Sequence, residues 1–599
     1  MTKTTRQGIF QPKTLALAVA LGTAAPAYAV TFNIGEIEGQ FDSSMSIGAS
    51  WSTTDRDMDL VGSANGGTGF TQTGDDGRLN FKKGETFSKI FKGIHDLELR
   101  YGDSGAFIRG KYWYDFELKD EDRLFKDISD SNRKEAAQSS GAQILDAFLY
   151  HNYYVGDLPG TVRLGKQVVS WGESTFIGNS INSINPLDAA AFRRPGAEIK
   201  EGLIPVNMLY VSQSLTDQLS METFYQLEWD QTIVDNCGTF FAGADVVADG
   251  CDTNYNILDA ATVNSLLALP AATRAALGIN VEQEGLLVRR GGDRDARDSG
   301  QYGVAFRWLA DSAEYGAYFM NYHSRTPNLN VRNANAAAIG AALATPALAS
   351  PILLSNGEYF LEYPEDIRLY GASFSTTLPT GTAWSGEVSY RPNLPIQINS
   401  TDITGRLART VATAAAIGGA TGGAAGAAAA GLAQAGVESR GYNRKEVTQL
   451  QTTFTHFFDQ VLGAGRVTVV GELGYTHVGG LESKSELRYG RDSIYGLDNT
   501  LYGNDGFVTA DSWGYRLRAL ANYNNAFAGI NLTPNVSFSH DVDGYGPVFN
   551  EGSKAVSVGV DAEYQNTYTA SLSYTDFCGG DYNTLVDRDF LALSMGVNF

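Results

Sequence analysis

The chain closes on FLALSMGVNF, residues 590–599. Leu591, Leu593, Met595, Val597 and Phe599 share one face, and Ala592, Ser594, Gly596 and Asn598 share the other. A period of two is a β-strand with one apolar and one wet face. A strand that ends a chain this way must find a partner, because an open sheet edge in hydrocarbon leaves peptide groups unpaired.

The same alternation recurs upstream. In residues 105–118, Ile108, Tyr112, Tyr114, Phe116 and Leu118 oppose Arg109, Lys111, Trp113, Asp115 and Glu117. In residues 218–229, Leu219, Met221, Tyr225, Leu227 and Trp229 oppose Ser220, Glu222, Gln226 and Glu228. Residues 554–564 set Val556, Val558 and Val560 against Ser557, Gly559 and Asp561, and residues 567–575 set Leu572 and Tyr574 against Ser571 and Ser573. Many of the apolar rows end in an aromatic, as at Tyr112, Trp513, Tyr564 and Tyr568. Connections alternate in length: GDSG, GDLPG, SLTDQ and LPTGT are short, and the segments between them are long. Aromatic girdles, with short turns at one end and long loops at the other, are the signature of transmembrane barrels.

Strands are expected near 40–52, 86–102, 105–118, 143–155, 160–169, 203–213, 218–229, 299–309 and 313–323. Nine more are expected near 366–376, 382–391, 445–457, 465–476, 513–524, 531–540, 554–565, 567–576 and 588–599. The fold class is therefore all-β, a transmembrane antiparallel barrel of about 18 strands (16–18), with both termini at the short-turn end. Long, partly helical loops would lie outside or fold into the lumen.

The other end of the chain carries Lys3, Arg6 and Lys13, then an apolar stretch from Leu15 to Ala25, then Ala27-Tyr28-Ala29. That is the pattern of a secretory signal peptide over residues 1–29. Residues 30–599 are expected to form a single outer-membrane barrel domain, with inserts near 170–202, 230–298, 324–365 and 392–444. The balance of 45 basic against 67 acidic residues argues against nucleic acid, whose phosphates need Lys and Arg. Three cysteines exclude a disulfide scaffold. Cys237 and Cys251 are placed to close a small loop bridge in an oxidising compartment, or to remain two thiols, and Cys578 is left odd.

A lumen of this size is wide enough for an aqueous channel unless something fills it. Residues 257–278 read as short helices broken at Pro270, residues 332–348 are Ala-rich, and residues 411–436 are nearly all Ala and Gly. Gly418, Gly422 and Gly426 fall four apart, as in close-packed membrane helices. Alanine is weakly apolar and each glycine costs about 1 kcal/mol of helix propensity, so a partly helical loop insert is the expected form. The densest stretch is 163–213. There Glu173, Asn185, Asp188, Arg193, Arg194, Glu198, Lys200 and Glu201 mix both charge signs in one loop, which could set a transverse field in a lumen. The alternative is that these groups pair and simply fix the loop. Arg109, Lys111, Glu222, Glu228, Arg516 and Arg518 are the lumen-facing strand candidates.

The stretches FDSSMSIGASW, GDDGRLNFKKGETFS and above all GKQVVSWGESTFIGNSINSINPLDAAAFRRPGAEIKEGLIPVNMLY resemble a proteobacterial family of exported proteins of about 600 residues, known only as a domain of unknown function. The resemblance spans nearly all of the chain beyond the leader. It implies an outer-membrane barrel, often encoded beside a periplasmic protein and an inner-membrane exporter of the resistance-nodulation-division type, and so a role with hydrophobic or amphipathic molecules. Phe599 resembles the C-terminal assembly signal of such barrels. Outer-membrane lipids, lipopolysaccharide and the barrel-assembly machinery are the partners this implies.

Transport of hydrophobic or amphipathic compounds across the outer membrane is the expected function, with a hydrophilic porin as the alternative. A barrel hydrolase is a weaker reading. None of the six histidines sits in a nucleophile or zinc motif, and His477 is the least implausible candidate. A structural or adhesive surface barrel is a further alternative. No cofactor or metal ligand is expected: Asp55, Asp57 and Asp59 in DRDMD lack the glycine and final Glu of an EF-hand loop.

Overall fold

The computed structural model describes residues 30–497 and 502–599. The expected leader lies outside them. Eighteen antiparallel strands close into one barrel. They are β1 (Ile37–Ser52), β2 (Thr86–Tyr101), β3 (Ser104–Asp115), β4 (Ser140–Val155), β5 (Leu158–Gln167), β6 (Val206–Ser214), β7 (Leu219–Gln226), β8 (Tyr302–Leu309) and β9 (Ala313–Tyr322). The circuit continues through β10 (Ile367–Thr377), β11 (Ala383–Gln397), β12 (Tyr442–Asp459), β13 (Arg466–Gly479), β14 (Asp511–Phe527), β15 (Ile530–Asp543), β16 (Lys554–Tyr564), β17 (Tyr568–Cys578) and β18 (Phe590–Asn598). Each strand pairs with its sequence neighbours. The ring closes where β18 lies against β1, from Ser44 opposite Asn598 to Ser52 opposite Phe590. The seam runs to the last residue: Ser43 and Phe599 exchange backbone hydrogen bonds of 2.6 and 2.8 Å. The opening stretch therefore ends as a paired strand.

Side chains sort by face. Ile47, Leu149, Leu164, Phe306, Tyr370, Leu450, Leu473, Leu517, Val558, Leu572 and Met595 are exposed on the outside of the cylinder. Trp308, Tyr315, Phe454, Tyr475, Trp513 and Tyr574 join them. So much exposed apolar surface is normal only against hydrocarbon. Among the described residues no helix is long and apolar enough to cross a membrane, and crossing by strands needs none.

The strand ends correct the sequence reading in three places. β3 stops at Asp115, whose side chain accepts from the N–H groups of Glu117 and Leu118 and so caps a short helix, Phe116–Asp120. β11 runs on through Pro392, where a bulge between Arg391 and Leu394 absorbs the missing donor, and through Pro395, which stays in register opposite Arg444. A long connection over 480–510, rich in charge and glycine, joins β13 to β14 and was not among the expected inserts.

The long connections pack together. One apolar core joins Val263 and Leu266 of the helix Ala260–Leu267, Ile339 of Ala336–Ala344, Ile352 and Leu353 of Ala349–Asn356, and Ile403, Leu407 and Val411 of Ser400–Leu432. Pro270 stands at the N-cap of the helix Ala271–Leu277, at the expected break. The Ala/Gly stretch turns back on itself at Gly423, whose φ is 60°. Its two arms approach so closely that a Cβ at Gly418 would run into the Gly426 carbonyl. Gly418 and Gly426 thus serve close helix packing within a loop insert, whereas Gly422 faces open space. Cys237 and Cys251 are bonded to each other, and Cys578 is free and exposed.

Candidate functional site: a loop across the lumen

The connection over 168–205 leaves β5, crosses the barrel and returns to β6. Its feet are tied by Asn185. The Asn185 Oδ1 accepts from Val169 N at 3.0 Å, and its Nδ2 donates to Ile204 O at 2.9 Å and Gln167 O at 3.3 Å. Trp171, almost fully buried, packs on Phe224 and Tyr318 and donates its Nε1–H to Glu222 at 2.7 Å.

The first half of the loop is held by two carboxylates on the far wall. Glu472 of β13 accepts the backbone N–H groups of Thr175 (2.9 Å), Phe176 (2.7 Å) and Ile177 (2.7 Å). Glu387 of β11 accepts from the N–H groups of Glu173, Ser174 and Ile181. Arg391 donates to Asn179, and Gln449 donates to Gly178 O at 2.9 Å. These anchors were not among the expected site residues. The available signal was a lone carboxylate at an inward position, next to glycine, in SGEVS and VGELG.

The second half is held by lysines. Asp188 caps the helix Ala189–Arg193 and takes Lys111 Nζ at 2.8 Å, both groups being buried. Glu201 takes Lys92 Nζ at 2.5 Å, and Lys92 also donates to Gly196 O at 2.7 Å. Arg194 stacks over Trp113, and Arg193 pairs with Asp235. Glu198 pairs with Lys200 at 3.1 Å and accepts from Ser44 Oγ. A Cβ at Gly48 of β1 would meet Pro195. β11, which carries Glu387, and β2, which carries Lys92, lie nine strands apart either way round. The loop is therefore fixed at opposite points of the wall.

Most of the expected charges come together here as pairs. Of the strand candidates, Arg109 clasps Asp96 at 2.7 and 2.8 Å and reaches Asp146. Glu222 faces Arg307 at 3.3 Å, and Arg516 pairs with Asp541 at 2.7 Å. Arg518 is exposed on the same face as Arg516. Glu228 lies beyond the end of β7 and accepts from Asn207. Glu173 is held above the ordinary carboxylate range by burial and by Glu314 and Glu387, against the pull of Arg307. Apolar side chains also stay exposed on this loop: Phe176, Leu187, Phe192 and, at 75% exposure, Ile199.

A cavity lies to either side of the loop. The one toward the short-turn end, about 460 Å³, is lined by Asp42, Ser44, Asp96, Glu198, Lys200 and Asn598. The one toward the outer connections, about 400 Å³, sets Asn179, Asn182, Ser183 and Asn328 against Tyr322, Leu394 and Ile396. The other sequence candidates lie elsewhere. His477 binds Asp511 at 2.8 Å near the outer rim. Asp57 caps the turn Met58–Leu60, Asp59 binds Thr68, and Asp55 lies beside Lys83.

The fold and this loop define a class: a closed, apolar-belted β-barrel whose lumen is crossed by one of its own loops. The family described as "Protein of unknown function (DUF1302)" matches residues 11–599, and the chain belongs to it. No curated protein matches the sequence. Among solved structures it is similar to OccAB1 of Acinetobacter baumannii, at 10% identity and TM-score 0.38, over 96% of this chain and 98% of that one. It is also similar to a BenF-like porin from Pseudomonas fluorescens Pf-5, at 7% identity and TM-score 0.39, over 94% and 98%. The outer membrane channel DcaP of Acinetobacter baumannii matches at 9% identity and TM-score 0.35, over 96% and 100%.

Proposed function

We propose that the protein is an outer-membrane channel that passes small amphipathic molecules passively, with the loop over 168–205 as its selecting constriction. The observation that carries this reading is the placement of that loop. It is anchored at opposite walls and offers Phe176, Phe192 and Ile199 to solvent beside fixed charge pairs. A permeant with an apolar body and a polar end can slide along such a surface, exchanging water for side chains at each step. The outer cavity, which mixes amide, hydroxyl and guanidinium groups with aliphatic side chains, suits the same chemistry. Export by a signal peptide, recognition of Phe599 by the barrel-assembly machinery, contact with lipopolysaccharide and a link to a periplasmic partner and inner-membrane exporter belong to this reading. A second reading, diffusion of hydrophilic solutes, draws support from the polar lining of the cavity at the short-turn end.

Proteoliposome uptake separates the two. Small aromatic or aliphatic amphiphiles should enter faster than sugars of equal size. Faster entry of sugars would favour the hydrophilic reading, and no entry of either would overturn both.

A further inference from the structure

Three aspartates from two outer connections meet in the loop cap, away from the lumen. Asp75 and Asp76 belong to the connection 53–85, and Asp245 belongs to 227–301. Each offers a carboxylate oxygen within 4.8 Å of the other two, and all three are essentially without solvent contact. Backbone geometry gathers them: Asp245 accepts from Asp76 N at 3.0 Å and from Gly238 N at 2.9 Å.

Their charge is only partly balanced: the buried guanidinium groups of Arg78 and Arg588 lie near Asp75 and Asp245 but are paired with Asp587. Lys126, from a third connection, reaches Asp76 at 2.9 Å and Glu284 at 2.5 Å. Asp75 and Asp245 have no ion pair among the described residues. The independent mark of a ligand is on Asp75. Its Oδ2 takes Gly62 N at 2.9 Å and Asn65 Nδ2 at 3.0 Å, whereas its Oδ1 is buried with no donor at all. A bare acceptor oxygen among three buried carboxylates calls for a cation, since a buried negative charge without a partner is among the costliest features a fold can carry.

We propose that Asp75, Asp76 and Asp245 bind a calcium ion that staples two outer connections together. An all-oxygen donor set suits a hard cation. Calcium fits better than magnesium, which sheds its waters reluctantly and would have to do so in a buried site. The site stands apart from the channel reading and does not depend on it.

The test uses the full chain in detergent, stripped with EDTA and titrated with calcium chloride by calorimetry, with the melting temperature followed in parallel. One saturable site per chain is expected, with Kd at or below ~1 mM, together with a rise in melting temperature. Asp75→Asn keeps the Oδ2-side contacts in shape and removes the bare anion. It should abolish both the heat and the calcium-dependent rise, while the calcium-free form melts no lower than wild type. Asp245→Asn should abolish the heat and the calcium-dependent rise as well, although its calcium-free form should melt lower than wild type because the new amide faces the N–H of Asp76 or Gly238; it serves if Asp75→Asn does not fold. Asp55→Asn should bind as wild type. No saturable binding by folded wild type, equal affinity for magnesium, or undiminished binding by Asp75→Asn would each overturn the proposal.

Discussion

Glu472→Ala removes the acceptor that holds the middle of the lumen loop. Three backbone N–H groups, of Thr175, Phe176 and Ile177, point at one buried carboxylate over 2.7–2.9 Å, and Thr453 Oγ1 adds a fourth contact at 3.2 Å. Hydrogen bonds to a charged partner contribute about 1.5–3 kcal/mol each, so the three together hold the loop by at least ~4 kcal/mol. The freed N–H groups can turn to lumen water, so the barrel itself should survive. At about 1.4 kcal/mol per factor of ten, the local closed-to-open ratio drops by roughly a thousandfold. Single-channel recording in planar bilayers should show a larger or noisier conductance than wild type. Thr453→Val, which removes the one longer contact and leaves the three N–H bonds in place, should leave the trace nearly unchanged. Glu472→Gln should fall between them, because its amide places a donor against donors. A folded Glu472→Ala protein with a wild-type trace would refute the view that this carboxylate sets the constriction.

Other outcomes follow from the same contacts. Lys111→Met strands Asp188 in a buried site and should destabilise the protein by about 3–5 kcal/mol, read as a lower denaturant midpoint. The Cys237–Cys251 bridge closes a short loop, so Cys237→Ser with Cys251→Ser should cost about 3 kcal/mol in that connection, seen as new proteolytic cleavage near residues 237–251 with the barrel intact. His323 accepts from Asp366 N at Nδ1 and faces Ser299 O with Nε2, each at 3.0 Å, which fixes the neutral tautomer with the proton on Nε2. Burial lowers its pKa from 6.5, with Arg297, Glu365 and Asp366 nearby. The unfolded chain then binds the proton more readily, so stability should fall as pH drops through about 6.5. His323→Gln should flatten part of that slope in melts between pH 7.5 and 5.5.

The barrel was legible because each strand states its own period. Leu572 between Ser571 and Ser573 declares which way it faces without reference to its neighbours. The pairing Cys237–Cys251 and the break at Pro270 were legible for a similar reason, since the signal is local. Where strand and loop chemistry conflict, as at Pro392, the bulge that reconciles them is a property of the paired strand and not of the segment. The loop anchors were hidden more deeply. Glu387 and Glu472 bind backbone N–H groups, which every loop offers, so nothing in residues 173–181 announces a partner on β11 or β13. Lys111 was visible as an inward residue, but its partner Asp188 is 77 positions away. Asp188 itself reads as an ordinary helix cap until the loop is folded inward.

The account rests on one loop touching opposite walls of a closed barrel, and paired cysteines test that placement directly. In a Cys578→Ser background, Gly48→Cys with Pro195→Cys reports one wall, and Gly474→Cys with Ile177→Cys reports the other, because a Cβ at either glycine would meet its partner side chain. Both pairs should oxidise in the folded protein, and together they should hold the channel at its narrowest conductance. A folded barrel in which either pair stays reduced under oxidant, with both thiols reactive to a water-soluble label, would contradict the account.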